Sequence, residues 1–262
     1  GAAFTLASKD LRVAWSYRLS FLFGHFAVFA PLVLFYFVSR VVGNSSVVGS
    51  PEHYFRFIVV GTAMAGLVDT AVGAAMGAAR RDQIEGTLEA IASLPVSSGT
   101  LGLGWLLYPM FDALLGLVVA FIVALPLGMW GVHPCWPTVF LSIVLSIAVF
   151  ASFGFIGAAI VMAFQQGAGT VPLILAGLAL LSGVLFPVSV MPHWMQVLSH
   201  VSPLRHSLDS LRDGMLEHAS IHEAGNSLLV LAGFAVVLLP LSLVLLELGL
   251  RRARKTGGLS RF

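Results

Sequence analysis

Charged residues are scarce in this sequence. Asp, Glu, Lys and Arg make up 10% of the 262 residues, whereas hydrophobic residues make up 58%. The mean hydropathy is +0.96. Because ordinary soluble domains carry about 25% charged residues, this composition excludes a soluble protein and predicts an all-α integral membrane protein.

Cysteine and lysine are nearly absent as well. Cys135 is the single cysteine, which excludes an intrachain disulfide and a Cys-rich metal site. The phosphate-binding loop of ATPases requires GxxxxGK followed by Ser or Thr. Lys9 follows Ser8 and Lys255 follows Arg254, so neither lysine completes that motif. We therefore expect no ATPase site and no bound cofactor, and a formal net charge of only +2 gives no indication of a nucleic acid partner.

Long apolar runs dominate the chain instead. A helix needs about 20 apolar residues to cross the hydrocarbon of a membrane. Six such runs are present: 19–38, 57–79, 101–128, 137–164, 170–190 and 227–250. The sequence therefore predicts six transmembrane helices in a single domain over residues 1–262, with both termini on the same side.

Lys and Arg are distributed unequally between the two sides. Ten flank the spans on the side of the termini: Lys9, Arg12, Arg18, Arg80, Arg81, Arg251, Arg252, Arg254, Lys255 and Arg261. The opposite side carries four: Arg40, Arg56, Arg205 and Arg212. Because cytoplasmic loops carry an excess of Lys and Arg, we predict cytoplasmic termini in the plasma (inner) membrane.

Amphipathic patterns occur at two places outside the spans. Three apolar residues lie at helical spacing within residues 1–18: Phe4, Leu11 and Trp15. They predict an interfacial elbow helix, with a plain cytoplasmic tail as the alternative. In the loop 191–217, apolar residues at helical spacing predict two short outer-leaflet helices, separated by Pro203. An ordinary surface loop is the alternative there.

The stretch EGTLEAIASLPVS, residues 85–97, interrupts the apolar runs between the second and third spans. Gly86 breaks the helical pattern, Thr87 is a suitable N-cap, and Pro95 blocks continuation. The apolar residues between them lie on one helical face: Leu88, Ile91 and Leu94. A helix of about two turns is marginal alone in water, so it needs a surface to pack on, either a partner or the chain's own helix ends. Acceptors for basic groups on a partner would come from Glu85 and Glu89.

Three ionisable residues lie at membrane depth. Asp69 is near the centre of the second span and Asp112 near the middle of the third, where a carboxylate costs about 2.5 to 3.5 kcal/mol. His25 lies in the first span. Either these residues line a polar translocation route, or each aspartate is protonated or bonded to backbone and locks helices together. His218 and His222 are spaced i, i+4 but lack a third ligand, so we predict no metal site.

Two motifs resemble a known family. The EGTLE that ends the second span, followed by PVS before the third, resembles the permease subunits of ABC-2 type ABC exporters. Residues 183–212, GVLFPVSVMPHWMQVLSHVSPLRHSLDSLR, are similar to that family's exit from the fifth span and its short outer-leaflet helices. Together with the amphipathic start and the six spans, the resemblance covers nearly the whole chain.

The resemblance implies a function and partners. In that family the loop between the second and third spans is a coupling helix, so the cytoplasmic segment 82–98 would meet a nucleotide-binding ATPase subunit, with ATP and Mg bound there. A second permease, identical or related, would complete the pathway within the membrane lipid. The substrate would be amphipathic or hydrophobic: a drug, lipid, glycolipid or peptide. Three residues of the region after the fifth span would belong to an outer gate: Pro187, Trp194 and Leu208.

Two other classes of protein compete with this interpretation. An intramembrane enzyme is disfavoured because the HExxH and GxSxG motifs are absent. A gradient-driven secondary transporter would favour an inverted repeat, and residues 1–130 and 131–262 share no repeated pattern. Such a transporter would work without an ATPase. The residues do not identify the substrate, the ATPase, or whether the second permease is identical.

Overall fold

The computed structural model describes residues 29–42, 49–85, 97–164 and 170–256. Within these ranges the regular secondary structure is helical and contains no strand, which confirms the predicted all-α class. The α-helices are α1 (Phe29–Val42), α2 (Pro51–Ile84), α3 (Ser98–Ala124), α4 (Trp136–Phe164), α5 (Thr170–Leu181), α6 (His193–Val201), α7 (Pro203–Leu216) and α8 (Gly225–Thr256). Short 3-10 helices follow α3 at Leu125–Leu127 and precede α6 at Val188–Val190.

Four of the described helices are long and apolar enough to cross a membrane: Pro51–Ile84, Ser98–Leu127, Trp136–Ala163 and Gly225–Arg252. They correspond to the second, third, fourth and sixth predicted spans. Helix α1, with 14 residues, covers the later part of the first predicted span. Residues 19–28 and the predicted elbow helix 1–18 lie outside the described residues, so the six-span arrangement stays a prediction.

The predicted fifth span, 170–190, is wrong at its C-terminal end. Helix α5 stops at Leu181, and the chain turns through Gly183, whose φ is +75°. A residue with positive φ after the last helical turn ends a helix, and glycine adopts that conformation without strain. Pro187 then precedes the short helix Val188–Val190. Residues 182–190 are therefore a connection, not the last turns of a span.

Serine caps fix the beginnings of two long helices. The Ser50 side chain accepts a hydrogen bond from the His53 N–H at 3.2 Å, and Pro51 occupies the first turn of α2. Ser97 does the same for the Thr100 N–H at 3.2 Å, so α3 begins three residues earlier than its apolar run predicts. These caps satisfy N–H groups that have no partner within the helix.

Helix α4 is the central element, with α2 packed on one side and α8 on the other. Helix α7 packs across all three near their N-terminal ends. The Cys135 N–H donates to the Gly214 carbonyl at 2.8 Å, and Thr138 Oγ1 donates to the Ala219 carbonyl at 2.8 Å. We call this end of the bundle the α7 end. The opposite end, where α2 closes at Glu85, is the Glu85 end.

Candidate functional site

The two short helices α6 and α7 differ in how deeply they are buried. Pro203, at the start of α7, separates them, because its ring cannot continue the preceding helix. On α6, Trp194 is 63% exposed. On α7, Leu204, Leu208 and Leu211 are fully buried. Helix α7 is therefore an inserted part of the bundle, whereas α6 lies on its surface.

Arg212 brings a positive charge from α7 into the bundle. Its side chain is buried, and its Nη2 donates to three backbone carbonyls: Phe57 O at 3.3 Å, Gly183 O at 3.0 Å and Val184 O at 3.1 Å. The guanidinium carbon lies 3.4 Å from the centroid of the Phe57 ring. We call Arg212, Phe57, Gly183 and Val184 the Arg212 clasp. It joins α7, the start of α2 and the connection after α5.

Gly61, one turn along α2 from Phe57, leaves the space that the clasp occupies. A Cβ at this position would lie 2.3 Å from the Val184 carbonyl oxygen and 2.6 Å from Arg212 Nη2. Both distances are shorter than non-bonded atoms tolerate. Residue 61 therefore has to be glycine for the clasp to close.

Electrostatics keep the clasp charged at neutral pH. Burial lowers the pKa of Arg212 from 12.5 to about 10, and the carboxylates of Asp209 and Asp213 oppose that decrease. A pKa of about 10 still leaves the guanidinium protonated at pH 7. Its donors are therefore available to the three carbonyls, and hydrogen bonds from a charged donor are the stronger kind.

A carboxylate beside the clasp has the opposite shift. The pKa of Asp213 rises from 3.8 to about 6, first because of burial and then because Glu217 and Asp209 add negative charge, while Arg212 lowers it. Arg205 pairs with Asp209, with Nε 3.3 Å from Oδ2. Asp213 is thus a partly buried carboxyl whose pKa lies well above its ordinary value.

Two more hydrogen bonds hold the connection after α5 to the rest of the α7 end. The buried hydroxyls of Ser182 and Ser202 lie 2.8 Å apart, which ties the end of α5 to the junction of α6 and α7. The Tyr54 hydroxyl donates to the Leu185 carbonyl at 3.3 Å. Together with the clasp, they link α5, α7 and the first turns of α2 into one unit.

The predicted coupling residues lie at the other end of α2. Residues 82–84 form the last turn of α2, and Glu85 is its exposed C-cap, whose N–H donates to the Arg81 carbonyl at 2.9 Å. The remaining predicted coupling residues lie outside the described residues: Gly86, Thr87, Leu88, Glu89, Ile91, Leu94 and Pro95. Ser97 resumes the described chain as the cap of α3. The segment therefore connects the end of α2 to the beginning of α3.

One face of α2 is left uncovered by the described chain. Gly66, Asp69 and Gly73, at i, i+3 and i+7, are exposed, and no atom of the described residues lies within 4 Å of a Cβ placed on either glycine. No hydrogen bond from the described residues reaches the Asp69 carboxylate. Because this residue lies mid-way along a helix long enough to span a membrane, its carboxylate needs water or a partner.

The other polar residues predicted at membrane depth are placed differently. Asp112 is half-buried on α3 and interacts within the chain. His25 lies outside the described residues. At the α7 end, His218 Nδ1 lies 2.7 Å from the His133 carbonyl oxygen, and no group of three metal-ligating side chains occurs in the described part of the chain. Asp69 and Asp112 therefore lie in different environments, the first exposed and the second half-buried with an interaction within the chain.

The three residues predicted for an outer gate occupy three environments. Trp194 is on the exposed face of α6, Pro187 is half-buried in the connection after α5, and Leu208 is in the core under α7. Sequence reasoning missed Arg212 and Gly61, which organise this end. Phe57 and Arg212 are 155 positions apart, so no local pattern marks their contact. The available signal was Gly183, because glycine is a residue type that commonly ends helices.

Comparison with known proteins identifies relatives of the chain. The model of the ABC-2 type transporter family matches residues 3–216. The chain is similar to Nodulation protein J of Sinorhizobium fredii (strain NBRC 101917 / NGR234), with 32% identity over 140 residues, which is 52% of this chain and 52% of that protein. It is also similar to Nodulation protein J of Bradyrhizobium diazoefficiens, with 27% identity over 191 residues, 71% of this chain and 68% of that protein. The matched region thus spans about half the length of the first relative.

Proposed function

The chain belongs to the ABC-2 type transporter family, and from that premise we propose that it is the permease subunit of an ATP-driven exporter whose energy comes from a separate nucleotide-binding subunit. Membership makes it a multi-pass membrane protein and a transport subunit of an ABC system. The proposal adds the ATPase partner, the direction of transport and the parts of the chain that perform each role.

The observation that carries this proposal is the continuity of α2. This helix has 34 residues without an internal proline after its first turn, so it is about 51 Å long at 1.5 Å per residue. Glu85 and the coupling segment lie at one end, and the Arg212 clasp holds the other. A rigid helix of this kind transmits a displacement at Glu85 to the α7 end.

The exposed face of α2 supports a two-copy pathway. Gly66 and Gly73 allow a second helix to approach closely, and small residues at helical spacing are common where membrane helices associate. At Gly77, on the same face, the Arg81 side chain is the one group of the described residues within 4 Å of an added Cβ. A second copy packed here would cover Asp69 or enclose it in a water-filled route. The second permease is then required both for packing and for transport.

ATP binding would act through the coupling segment. Closure of the nucleotide-binding subunits would push the two copies of residues 85–95, and α2 would shift the population between an inward-open and an outward-open state. The energy would come from the difference in ATP affinity between those states. In this arrangement the protein spans the inner membrane, and both termini and the Glu85 end face the cytoplasm.

The outer gate would be α6 and α7. The clasp ties α7 to α2, so movement of α2 would carry α7 with it, while α6, with Trp194 exposed, would lie at the membrane surface. By its resemblance to the family, the substrate would be an amphipathic or hydrophobic molecule, such as a drug, lipid, glycolipid or peptide. Asp69 would supply the polar contact on that route.

Co-purification with an ATPase tests the proposal. The full chain would be co-expressed with candidate nucleotide-binding subunits as wild type, as the double variant Glu85→Ala, Glu89→Ala, and as the control Glu52→Ala. Glu52 is exposed in the first turn of α2, at the far end of the same helix. We expect the wild type and the control to retain the subunit and the double variant to lose it.

A gradient-driven secondary transporter is the alternative that this experiment separates. Such a protein would be stable and active in membranes with no ATPase. If no nucleotide-binding subunit is retained and transport follows an ion gradient, the exporter proposal is wrong. The same result would leave family membership intact, since that rests on the sequence match over residues 3–216.

A further inference from the structure

A groove runs between α4 and α8 on the outer surface of the described bundle. Its volume is about 300 Å³, near the lower limit of roughly 300 to 1,000 Å³ for ligand pockets. Ile156, Ile160 and Ala163 line it from α4, and Leu245, Leu248 and Arg252 line it from α8. Ile160 and Leu248 are 41% and 53% exposed, so the groove is open along its length.

The groove is a product of close helix contact. At its base, a Cβ on Gly249 would lie 3.1 Å from Ala159 Cα, so the two helices touch there. Larger residues on either side hold the helices apart: each helix contributes positions spaced i, i+3, i+4 and i+7. Small residues form the base of the groove and branched residues form most of its rims, so its walls are apolar.

Arg252 places a positive charge at the Glu85 end of the groove. Helices α4 and α8 both begin at the α7 end and run in the same direction, so Ala163 and Arg252 lie at the same end of the groove. Arg252 is exposed, and it is part of the basic sequence RRARK, residues 251–255. Clusters of Lys and Arg directly after a membrane span are typical of contacts with anionic lipid head groups.

We propose that this groove binds an anionic phospholipid, with one acyl chain along α4 and α8 and the phosphate on Arg252. Lipid tails are as apolar as leucine, so the apolar walls alone select no lipid over another. Selectivity has to come from the charged end, where arginine favours a head group of net negative charge over one whose phosphate is neutralised by a choline cation. A guanidinium has five N–H donors in a planar fork that suits phosphate oxygens, so Arg252 can hold a phosphate in addition to its contact within the chain.

The neighbouring arginine provides a matched control. Arg251 Nε donates to Glu247 Oε1 at 3.0 Å on another face of α8, and Arg251 does not line the groove. The two residues carry the same charge at nearly the same depth. A general attraction of anionic lipid to the basic cluster would depend on both equally, whereas the groove site depends on Arg252.

Native mass spectrometry of the purified full chain tests the proposal, with phosphatidylglycerol and phosphatidylcholine of identical acyl chains as probes. We expect wild type and Arg251→Gln to retain phosphatidylglycerol several-fold better than phosphatidylcholine. Arg252→Gln should lose that preference, and Arg252→Lys should keep part of it. Ala163→Phe, which fills the groove beside Arg252, should reduce retention of both lipids.

Three results would overturn the proposal. The first is equal retention of the two lipids by wild type. The second is an equal loss of preference in Arg251→Gln and Arg252→Gln, which would assign the effect to diffuse charge. The third is a second copy of the chain that occupies the groove, detected as a dimer that Ala163→Phe breaks while lipid retention is unchanged. Because Arg252 is exposed, its replacement should not disturb folding. Only variants whose thermal stability equals that of the wild type are compared.

Discussion

Arg212 lies directly over the ring of Phe57, with 3.4 Å between the guanidinium carbon and the ring centroid. The same guanidinium donates to the carbonyls of Gly183 and Val184. Three segments that are distant in sequence therefore meet at one buried charge. A buried charge without such partners would be strongly unfavourable, so the contacts of Arg212 stabilise each other and fix how α7 is inserted beside α2.

Replacing Arg212 should destabilise the protein strongly. Hydrogen bonds from a charged donor contribute about 1.5 to 3 kcal/mol each and a desolvated cation–π contact about 2 kcal/mol. Lysine retains the charge but not the flat guanidinium that lies over the Phe57 ring, so we expect Arg212→Lys to cost about 3 kcal/mol. Thermal unfolding in detergent, followed by intrinsic fluorescence or light scattering, would measure this loss.

Arg205 is the control for that experiment, because it is an arginine on the same helix in a more exposed ion pair. Its Nε lies 3.3 Å from Asp209 Oδ2, and surface pairs contribute roughly 0 to 1 kcal/mol. Arg205→Lys should therefore change the melting temperature little. Equal effects of the two substitutions would show that the clasp is not a special contact.

Adding one methyl group at residue 61 should open the clasp. The Cβ of Gly61→Ala would overlap the Val184 carbonyl oxygen, 2.3 Å away, and Arg212 Nη2. Overpacking of this kind costs about 1 to 3 kcal/mol. Gly233→Ala on α8 is the matched change, since nothing lies within 4 Å of its Cβ and alanine is the better helix former. We expect a lower melting temperature for the first variant and an equal or higher one for the second.

The limits of sequence-based prediction follow from the range of each interaction. Apolar runs mark the spans, so α2, α3, α4 and α8 could be located from the sequence. The N-caps of α2 and α3, Ser50 and Ser97, are local signals that the lengths of the apolar runs do not reveal. Contacts between distant segments are different. Arg212 lies among the charged residues of a predicted outer-leaflet helix, and only the folded bundle shows that α7 carries it into contact with Phe57.

The fifth span shows the same limit at shorter range. Hydropathy continues through residues 170–190, so a run of that length predicts a crossing. Gly183 and Pro187 contradict it locally, because the first permits a positive φ and the second precedes a new short helix. Of the apolar residues after Leu181, Val184 is buried at the Arg212 clasp, whereas Leu185 and Val190 are exposed.

Protonation of Asp213 should make stability depend on pH. Its pKa is about 6 in the folded state, above its ordinary value of 3.8, chiefly because of burial. The folded state then binds the proton more tightly, so this contribution is fully present below about pH 4 and is lost as the pH rises through about 6. Because Asp213 is half-exposed, solvent screening should limit it to on the order of 1 kcal/mol.

Two variants isolate that contribution. Asp213→Asn should remove it, so that the variant gains relative stability over wild type between about pH 4 and pH 7. Glu217→Gln removes a nearby negative charge that raises the pKa of Asp213, and it should move the transition to lower pH. Melting temperatures across this range would show either pattern. Parallel profiles for wild type and Asp213→Asn would refute the assignment.

The open face of α2 should be where two copies meet. Cys135 is the only cysteine, so Cys135→Ser provides a background in which a single new thiol can be placed. Gly73→Cys should form an intermolecular disulfide in membranes under mild oxidation. Gly233→Cys, on an exposed position of α8, should remain monomeric on a non-reducing gel. Cross-linking at 233 but not at 73 would place the contact between copies elsewhere.

ATP hydrolysis by that cross-linked complex is the measurement that tests the account most directly. The Gly73→Cys chain, in the Cys135→Ser background and in complex with its nucleotide-binding subunit, would be assayed in proteoliposomes after oxidation and again after reduction. If α2 moves with the ATP cycle, the disulfide should lower hydrolysis several-fold and reductant should restore it, while the Cys135→Ser parent is unaffected by either treatment. Unchanged hydrolysis in the fully cross-linked complex would contradict the account, because ATP turnover would then proceed without movement of α2.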